Sequence, residues 1–327
     1  MTAEVSGITR RDVLTGIIGT AAAATLGVGP AVAAPTRARV VRVESPRVWN
    51  GDRRDPEVVA SMLNRGLLAF TGDATPGDAW RRFFEPGMRV GLKINLLGRP
   101  HIYTARELTD AMTAGVILAG VKPADIVVWD RHGGHFGPTV YKPGPGTLGE
   151  RIQVGGRYDA QKALRASGGL APIDTIATEG TDVTVNLPVL KDHSGAGVTL
   201  SLKNIAFGCY DHHGEAHGGN CDPFIGEAYA HFVQTTRVPL IVLDATLACF
   251  DDGPQPHDVG SLWREHAIYV ATDPVALDVV CRQVIMDKRR AVGRSDKTPQ
   301  CHHIETAASK GLGVGDRGRI DLVTVRV

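Results

Sequence analysis

The chain has 327 residues, of which 43% are hydrophobic and 22% charged, and its 36 basic and 35 acidic side chains leave a net charge of +1. This length and apolar content are sufficient for a full hydrophobic core. The balanced charge gives no electrostatic basis for binding nucleic acid or a membrane surface. The five cysteines include no Cys-x-x-Cys pair, so they supply neither an iron–sulfur ligand run nor a complete disulfide framework.

Residues 1–33 have the features of an export signal. The pair Arg10-Arg11 precedes a weakly apolar run from about Gly16 to Val28, and the small-residue pattern Ala31-Val32-Ala33 follows as a cleavage site. The arginine pair resembles the signal read by the twin-arginine export machinery, which carries folded proteins. We therefore expect a periplasmic or extracellular protein that uses this machinery and has no stable membrane span.

Six short apolar runs follow in the mature chain, each rich in β-branched residues: RVGLKINLL (89–97), DIVVWD (125–130), DVTVNLPVL (182–190), PLIVLDATL (239–247), HAIYVATD (266–273) and IDLVTVRV (320–327). Continuous apolarity predicts strands that are buried on both faces, as in a parallel sheet between helices. Helical patterns at 104–121 and 273–293 lie among these runs. The sequence therefore predicts an α/β fold, with mostly parallel sheet covered by helices.

Two helix starts and one boundary are also predicted. Thr104 with Glu107 is typical of a capping box, and Asp273-Pro274 is typical of a helix cap followed by proline in the first turn. Residues 34–327 form the predicted α/β domain. The stretch 141–159 is rich in glycine and proline, so it could separate two sheet-forming halves, 34–145 and 160–327.

Polar side chains stand at the ends of four of the predicted strands. They are Lys93 and Asn95, Asp130, the run Lys191–His193, and Asp244. Because ligands of open α/β sheets bind beyond the carboxyl ends of the strands, we expect these side chains to share one site. For each residue taken alone, a solvated loop charge is the alternative.

The stretch KNIAFGCYDHHGEAHGGNCD, residues 203–222, is unusually rich in ligand chemistry. It begins with Lys203 and Asn204, and its predicted metal ligands are Asp211, His212, His213 and His217. Imidazole binds Ni, Zn, Cu or Fe, and a carboxylate can complete a mixed shell. Neighbouring side chains diverge, so His212 and His213 are not both expected on one ion. A mobile polar loop without a fixed metal is the alternative.

The chain resembles the domain of unknown function 362 family from about Arg89 to Gly315. The segments that carry the resemblance are VGLKINLLGRP, NLPVLKDH, TLSLKNIAFG, LIVLDATLACFDDGP, ATDPVALDVV and SKGLGVGD. Many relatives carry a ferredoxin-like cysteine module, which this sequence lacks. The resemblance therefore implies a fold and a cleft rather than a particular reaction.

The predicted function is that of an exported, metal-dependent enzyme acting on a small, carboxylate-bearing substrate by acid/base chemistry, as a hydrolase, lyase or isomerase. The predicted substrate-binding residues are Lys93, Asn95, Lys191 and Asn204. The predicted catalytic residues are His193, Lys203 and Asp244. Two alternatives stay open: a redox or electron-transfer protein, and a non-catalytic protein that binds or delivers metal. The second alternative would not need the strand-end lysines.

Overall fold

A computed structural model describes residues 36–167, 169–212 and 214–327. The predicted export signal and His213 lie outside the described residues. The described strands are β1 (Ala38–Glu44), β2 (Trp49–Asn50), β3 (Arg53–Arg54), β4 (Val90–Lys93), β5 (Ile126–Asp130), β6 (Gly144–Pro145), β7 (Arg151–Val154), β8 (Tyr158–Ala166), β9 (Gly169–Asp174), β10 (Val183–Asn186), β11 (Val189–His193), β12 (Gly197–Thr199), β13 (Ile241–Cys249), β14 (Leu262–Trp263), β15 (Ala267–Ala271) and β16 (Ile320–Arg326).

The described helices are α1 (Pro56–Thr71), α2 (Pro76–Arg81), α3 (Arg106–Leu118), α4 (Ser201–Gly208), α5 (Gly218–Cys221), α6 (Phe224–Thr235), α7 (Pro274–Ala291) and α8 (His302–Ser309). Among these residues, no helix combines the length and the apolar character that crossing a membrane requires.

Twelve of the described strands form one mixed sheet, whose main path runs β16-β1-β15-β13-β10-β4-β5-β7-β6. The neighbours from β13 to β7 on this path pair in parallel. The α/β fold with a mostly parallel sheet is therefore confirmed. Strand β1, from residues 34–145, lies between β15 and β16, from residues 160–327, so the two predicted halves contribute to the same sheet.

Apolar side chains cover both faces of the sheet. In β5, Val127 and Trp129 belong to one buried cluster, whereas Ile126 and Val128 belong to another. The first cluster contains side chains of α4, α6, α7 and α8, and the second contains side chains of α1, α2 and α3. Since successive strand residues point to opposite faces, the sheet is sandwiched between two helical layers. Burial on both faces of the sheet explains why the apolar runs of the sequence are continuous.

Two local predictions were wrong. The run 182–190 is two strands rather than one, because Pro188 has no N–H to continue the pairing; β10 pairs with β4, and β11 pairs with β13. Thr104 does not cap α3, since its hydroxyl donates to the carbonyl of Leu187 instead. The cap at Asp273 is confirmed, because its carboxylate accepts from the N–H of Ala276 at 2.8 Å.

Helix α4 is held at its first turn by a carboxylate from another helix. Asp278 of α7 is fully buried, and it accepts hydrogen bonds from the N–H groups of Ser201 at 2.8 Å and Leu202 at 3.0 Å. A helix start leaves such N–H groups without partners inside the helix, and a negative group there also meets the helix dipole favourably. Burial nevertheless raises the pKa of Asp278 to about 7. This contact fixes α4 and the residues that it carries.

We expect Asp278→Asn to lower the free energy of unfolding by about 1–3 kcal/mol, the range for a buried polar group without a partner. The amide has one acceptor oxygen for two N–H donors, so one donor loses its partner. Urea denaturation at pH 8 measures the loss. Asp287→Asn is the matched control on the exposed side of the same helix, and an equal effect of both substitutions would contradict this role of Asp278.

Candidate functional site

Six of the predicted site residues lie near the carboxyl ends of β4 and β11 and in the first turn of α4. Lys93 ends β4, and Asn95 follows two residues later. Lys191 and His193 lie in the last part of β11, while α4 supplies Lys203 and Asn204 in its first turn. All six side chains are buried. Their proximity follows from the parallel arrangement, which brings these strand ends to one edge.

A chain of amide hydrogen bonds connects four of the site residues. The Nζ of Lys191 donates to Oδ1 of Asn95 at 2.8 Å, and Nδ2 of Asn95 donates to Oδ1 of Asn204 at 2.9 Å. Asn204 in turn donates to Oδ1 of Asn186 at 2.7 Å, and Asn186 donates to the carbonyl of Ser201 at 2.9 Å. Each amide therefore has a fixed orientation, which makes the network rigid.

Lys93 forms an ion pair within the site. Its Nζ lies 3.0 Å from Oδ1 of Asp130 and donates to the carbonyl of Ile94 at 2.5 Å. Burial raises the pKa of Asp130, but the charge of Lys93 and the N–H of Leu96 outweigh that effect, so the pKa is lowered overall. A buried ion pair satisfies its own charges. Lys93 therefore has less capacity to hold a substrate than its position suggested.

Lys191 has no such counter-charge. Among the described residues, no carboxylate oxygen lies within 4 Å of its amine, and its side chain is fully buried. The neighbouring Asp192 is engaged elsewhere, at 2.7 Å from Nζ of Lys297. Burial disfavours the charged amine and lowers the pKa of Lys191 to about 7, against the opposing effects of Cys249 and Asp130.

Lys203 is the second amine without a carboxylate. Its Nζ lies 3.2 Å from the ring centroid of Phe207, and within the described part of the chain it makes no hydrogen bond. Its side chain is close to the surface, with 4% of the residue exposed. Burial lowers the pKa of Lys203 to about 8, which leaves the ammonium form in the majority at pH 7.

Backbone hydrogen bonds set the protonation state of His193. Its Nδ1 accepts from the N–H groups of Gly195 at 3.0 Å and Ala196 at 3.1 Å, so the proton of the neutral ring is on Nε2. Burial, followed by the charges of Lys203 and Lys191, lowers the pKa of His193 to about 2. A general base at neutral pH needs a pKa near 7. This geometry suits a hydrogen-bond donor instead.

Asp244 has contacts of a different kind. Its Oδ2 accepts from the N–H of Ala105 at 2.8 Å, at the start of α3, and its Oδ1 accepts from the N–H of Thr246 at 2.9 Å and its hydroxyl at 2.7 Å. Both oxygens are therefore occupied by protein donors. Asp244 attaches α3 to the sheet, and the function proposed below gives it no chemical role.

The predicted metal ligands are only partly brought together. The rings of His212 and His217 lie 5.5 Å apart, and both contact Phe207, at 4.5 and 4.8 Å between ring centroids. Asp211 is exposed, and its N–H donates to the carbonyl of Pro172. Over the described residues, no group of three His, Cys, Asp or Glu side chains is arranged to hold an ion. The metal site stays a prediction.

Two residues of the site were missed from the sequence. Asn186 completes the amide network, and Phe207 carries the Lys203 ammonium on its ring face. Asn186 ends a strand in the same way as Lys93, which is a signal that could have found it. Phe207 lies one helical turn after Lys203, and this i, i+4 spacing favours their contact.

The comparisons with known proteins concern the same residues. Residues 90–283 match the family model described as Domain of unknown function (DUF362). The chain belongs to the DUF362 family. A thylakoid-associated protein of Synechocystis sp. is 32% identical over 221 residues, which cover 60% of this chain and 65% of that protein. All the site residues named above lie within the DUF362 match.

The missing counter-charge of Lys191 predicts an unusual pH dependence of stability. A lysine titrates at ~10.4 in an unfolded chain, so between about pH 7 and 10 the unfolded chain holds a proton that the folded chain has lost. Folding stability therefore rises with pH across this range, by at most about 1.4 kcal/mol per pH unit.

We expect Lys191→Met to reduce this rise to the part that Lys203 contributes through its own lowered pKa of about 8. Urea denaturation at several pH values between 6.5 and 9.5 gives the free energy of unfolding of both proteins, and the difference between them should change steadily with pH. The exposed Lys310→Met variant is the control, with the slope of the wild type. If Lys191→Met also keeps the wild-type slope, Lys191 is not an uncompensated amine.

Proposed function

We propose that this DUF362 protein is an enzyme that binds a small carboxylate-bearing substrate and transfers a proton on it, as a lyase or isomerase does. The observation that carries the proposal is the pair of buried amines, Lys191 and Lys203, without a carboxylate partner in the described chain. A buried cation without a counter-charge is costly, and a bound anion removes that cost.

We assign the chemical roles to three residues. Lys203, which keeps its proton more readily than Lys191, binds the substrate carboxylate as a point charge. Lys191 is half neutral near pH 7 and accepts the proton. His193 donates from Nε2 to the oxygen on which negative charge develops, as a neutral imidazole can.

The side-chain amides of Asn95 and Asn204 position the reacting groups and do not take part in the reaction. Asn95 and Asn204 hold the amine of Lys191 and the start of α4 in fixed positions. Such preorganisation is valuable because groups that are already aligned need not be ordered when the substrate binds. Lys93 supports the same region through its ion pair with Asp130.

A divalent transition metal, Ni, Zn, Cu or Fe, is a further part of the proposal. The paired rings of His212 and His217 support it, with His213 and Asp211 adjacent in the chain. Such an ion supplies Lewis-acid chemistry when it is bound. We also propose that the protein is exported by the twin-arginine machinery, which rests on Arg10-Arg11 and the small-residue cleavage pattern.

The substrate-binding role predicts a pH-dependent affinity for small carboxylates. Lys203 must be protonated to attract an anion, so the affinity should fall by up to about tenfold per pH unit above pH 8. Calorimetric titration with oxalate measures this. Lys203→Met should weaken binding at pH 7 about tenfold or more, whereas Lys310→Met should not. Unchanged affinity in Lys203→Met would remove the proposed role.

The metal is tested by elemental analysis of the purified full-length protein. We expect about one equivalent of a transition metal in the wild type and its loss when His212, His213 and His217 are replaced together by alanine. Replacing the exposed His257 and His302 in a control variant should leave the metal content unchanged. A wild type without stoichiometric metal, when purified from its own compartment, would show that the histidine stretch is a polar surface segment.

A further inference from the structure

The amine of Lys191 is held in place but is not compensated. It lies on β11 next to Cys249 of β13, the residue opposite it in the strand register. Its hydrogen bond to Oδ1 of Asn95 fixes the position of the nitrogen. The two nearby carboxylates already have partners, Lys93 for Asp130 and Lys297 for Asp192.

These surroundings favour an amine with an available lone pair. The titratable and charged groups around Lys191 are Cys249, Asp130, Lys203 and Asp192, and burial outweighs the stabilising effect of the acids. A second cation nearby, here Lys203, further disfavours an ammonium at Lys191. Desolvation and a neighbouring cation are the two conditions under which a protein activates a lysine as a nucleophile.

The neighbours of Lys191 match the functional groups of an oxo acid. Lys203 provides a cation for a carboxylate, and Nε2–H of His193 provides a donor for a carbonyl oxygen. His193 follows Lys191 by two residues on β11, so their side chains lie on the same side of the strand. Besides burial, the charge of Lys203 lowers the pKa of both residues. The site therefore offers a nucleophile, an anion binder and a carbonyl-polarising donor together.

We propose that Lys191 forms an imine with the carbonyl carbon of a small oxo acid, which names the substrate class of the proposed function and rests on it. The lone pair of the neutral Nζ forms the C–N bond, and the carbonyl π electrons move to oxygen, which takes up a proton. The carbinolamine then loses its hydroxyl oxygen as water. The carbonyl oxygen and both amine hydrogens leave in that water, so no oxidant or reductant is needed.

In the imine, Lys191 draws electrons from the substrate and no longer accepts the proton itself. The proton released from the substrate passes to solvent water, which reaches the site at Asn95 and His193. Once protonated, the C=N group draws electrons from the bond next to the former carbonyl carbon, which weakens an adjacent C–H or C–carboxylate bond. The negative charge that a carboxylate brings is balanced by Lys203. Solvent reaches this region at Asn95 and His193, each 7% exposed, beside the fully buried Lys191.

The test is reductive trapping on the wild-type protein, which avoids variants that fold poorly. The protein is incubated at pH 7.5 with pyruvate, and in parallel with glyoxylate, then treated with sodium borohydride, digested and mapped by mass spectrometry. With pyruvate, Lys191 should gain the mass of pyruvic acid less one oxygen atom. The exposed Lys142 and Lys310 are internal controls, and Lys191 should be modified at least about tenfold more than either.

Absence of a Lys191 adduct with both oxo acids would overturn the inference, as would adducts spread equally over the three lysines. The failure of the imine is distinguishable from the failure of the proposed function. If Lys203→Met loses oxalate affinity while wild-type Lys191 stays unmodified, carboxylate binding stands and the imine does not. If Lys191 is modified while Lys203→Met binds oxalate normally, the imine stands and the role of Lys203 does not.

Discussion

The burial of the Lys191 amine without a counter-charge is the constraint on which the rest of the site depends. A lysine in the protein interior pairs with a carboxylate, contacts another favourable group such as an aromatic ring, or gives up its proton. Lys93 pairs with Asp130, whereas Lys191 gives up its proton near neutral pH. The same sheet edge therefore contains one permanently compensated amine and one that changes charge near neutral pH. Such a difference between neighbouring groups is typical of acid/base sites.

The fold maintains this difference with polar contacts that do not themselves carry charge. Asn95, Asn204 and Asn186 connect Lys191 to α4 by neutral hydrogen bonds, so they position the amine without restoring its proton. An aspartate in place of Asn95 would form an ion pair and remove the reactive state. Asp278 acts at a distance, since it holds the first turn of α4 and thereby Lys203. The rigid sheet and its two helical layers make these positions reproducible.

The sequence predicted the elements better than their interactions. Apolar runs revealed the strands, and strand-end polarity placed Lys93 and Lys191 in one region, because parallel strands share an edge. Lys203 was predicted from the stretch 203–222 instead, and it lies in α4. The hydrogen-bond and ion-pair partners of these side chains could not be predicted from the sequence pattern. Asp130 is 37 residues from Lys93, and the ring of His193 is set by two backbone N–H groups whose direction depends on a turn. The protonation state of each side chain depends on such contacts. Catalytic and binding roles that were predicted from residue type alone therefore agreed less well with the structure than the predicted strands did.

The most direct test of this account is the titration of the Lys191 side chain itself. Nuclear magnetic resonance of protein labelled with carbon-13 at the lysine Cε follows each amine with pH, and comparison with Lys191→Met assigns the signal. The account predicts a midpoint at about pH 7 for Lys191. A midpoint at ~10.4, as in a free lysine, would show that the amine is charged at neutral pH and would contradict the central claim.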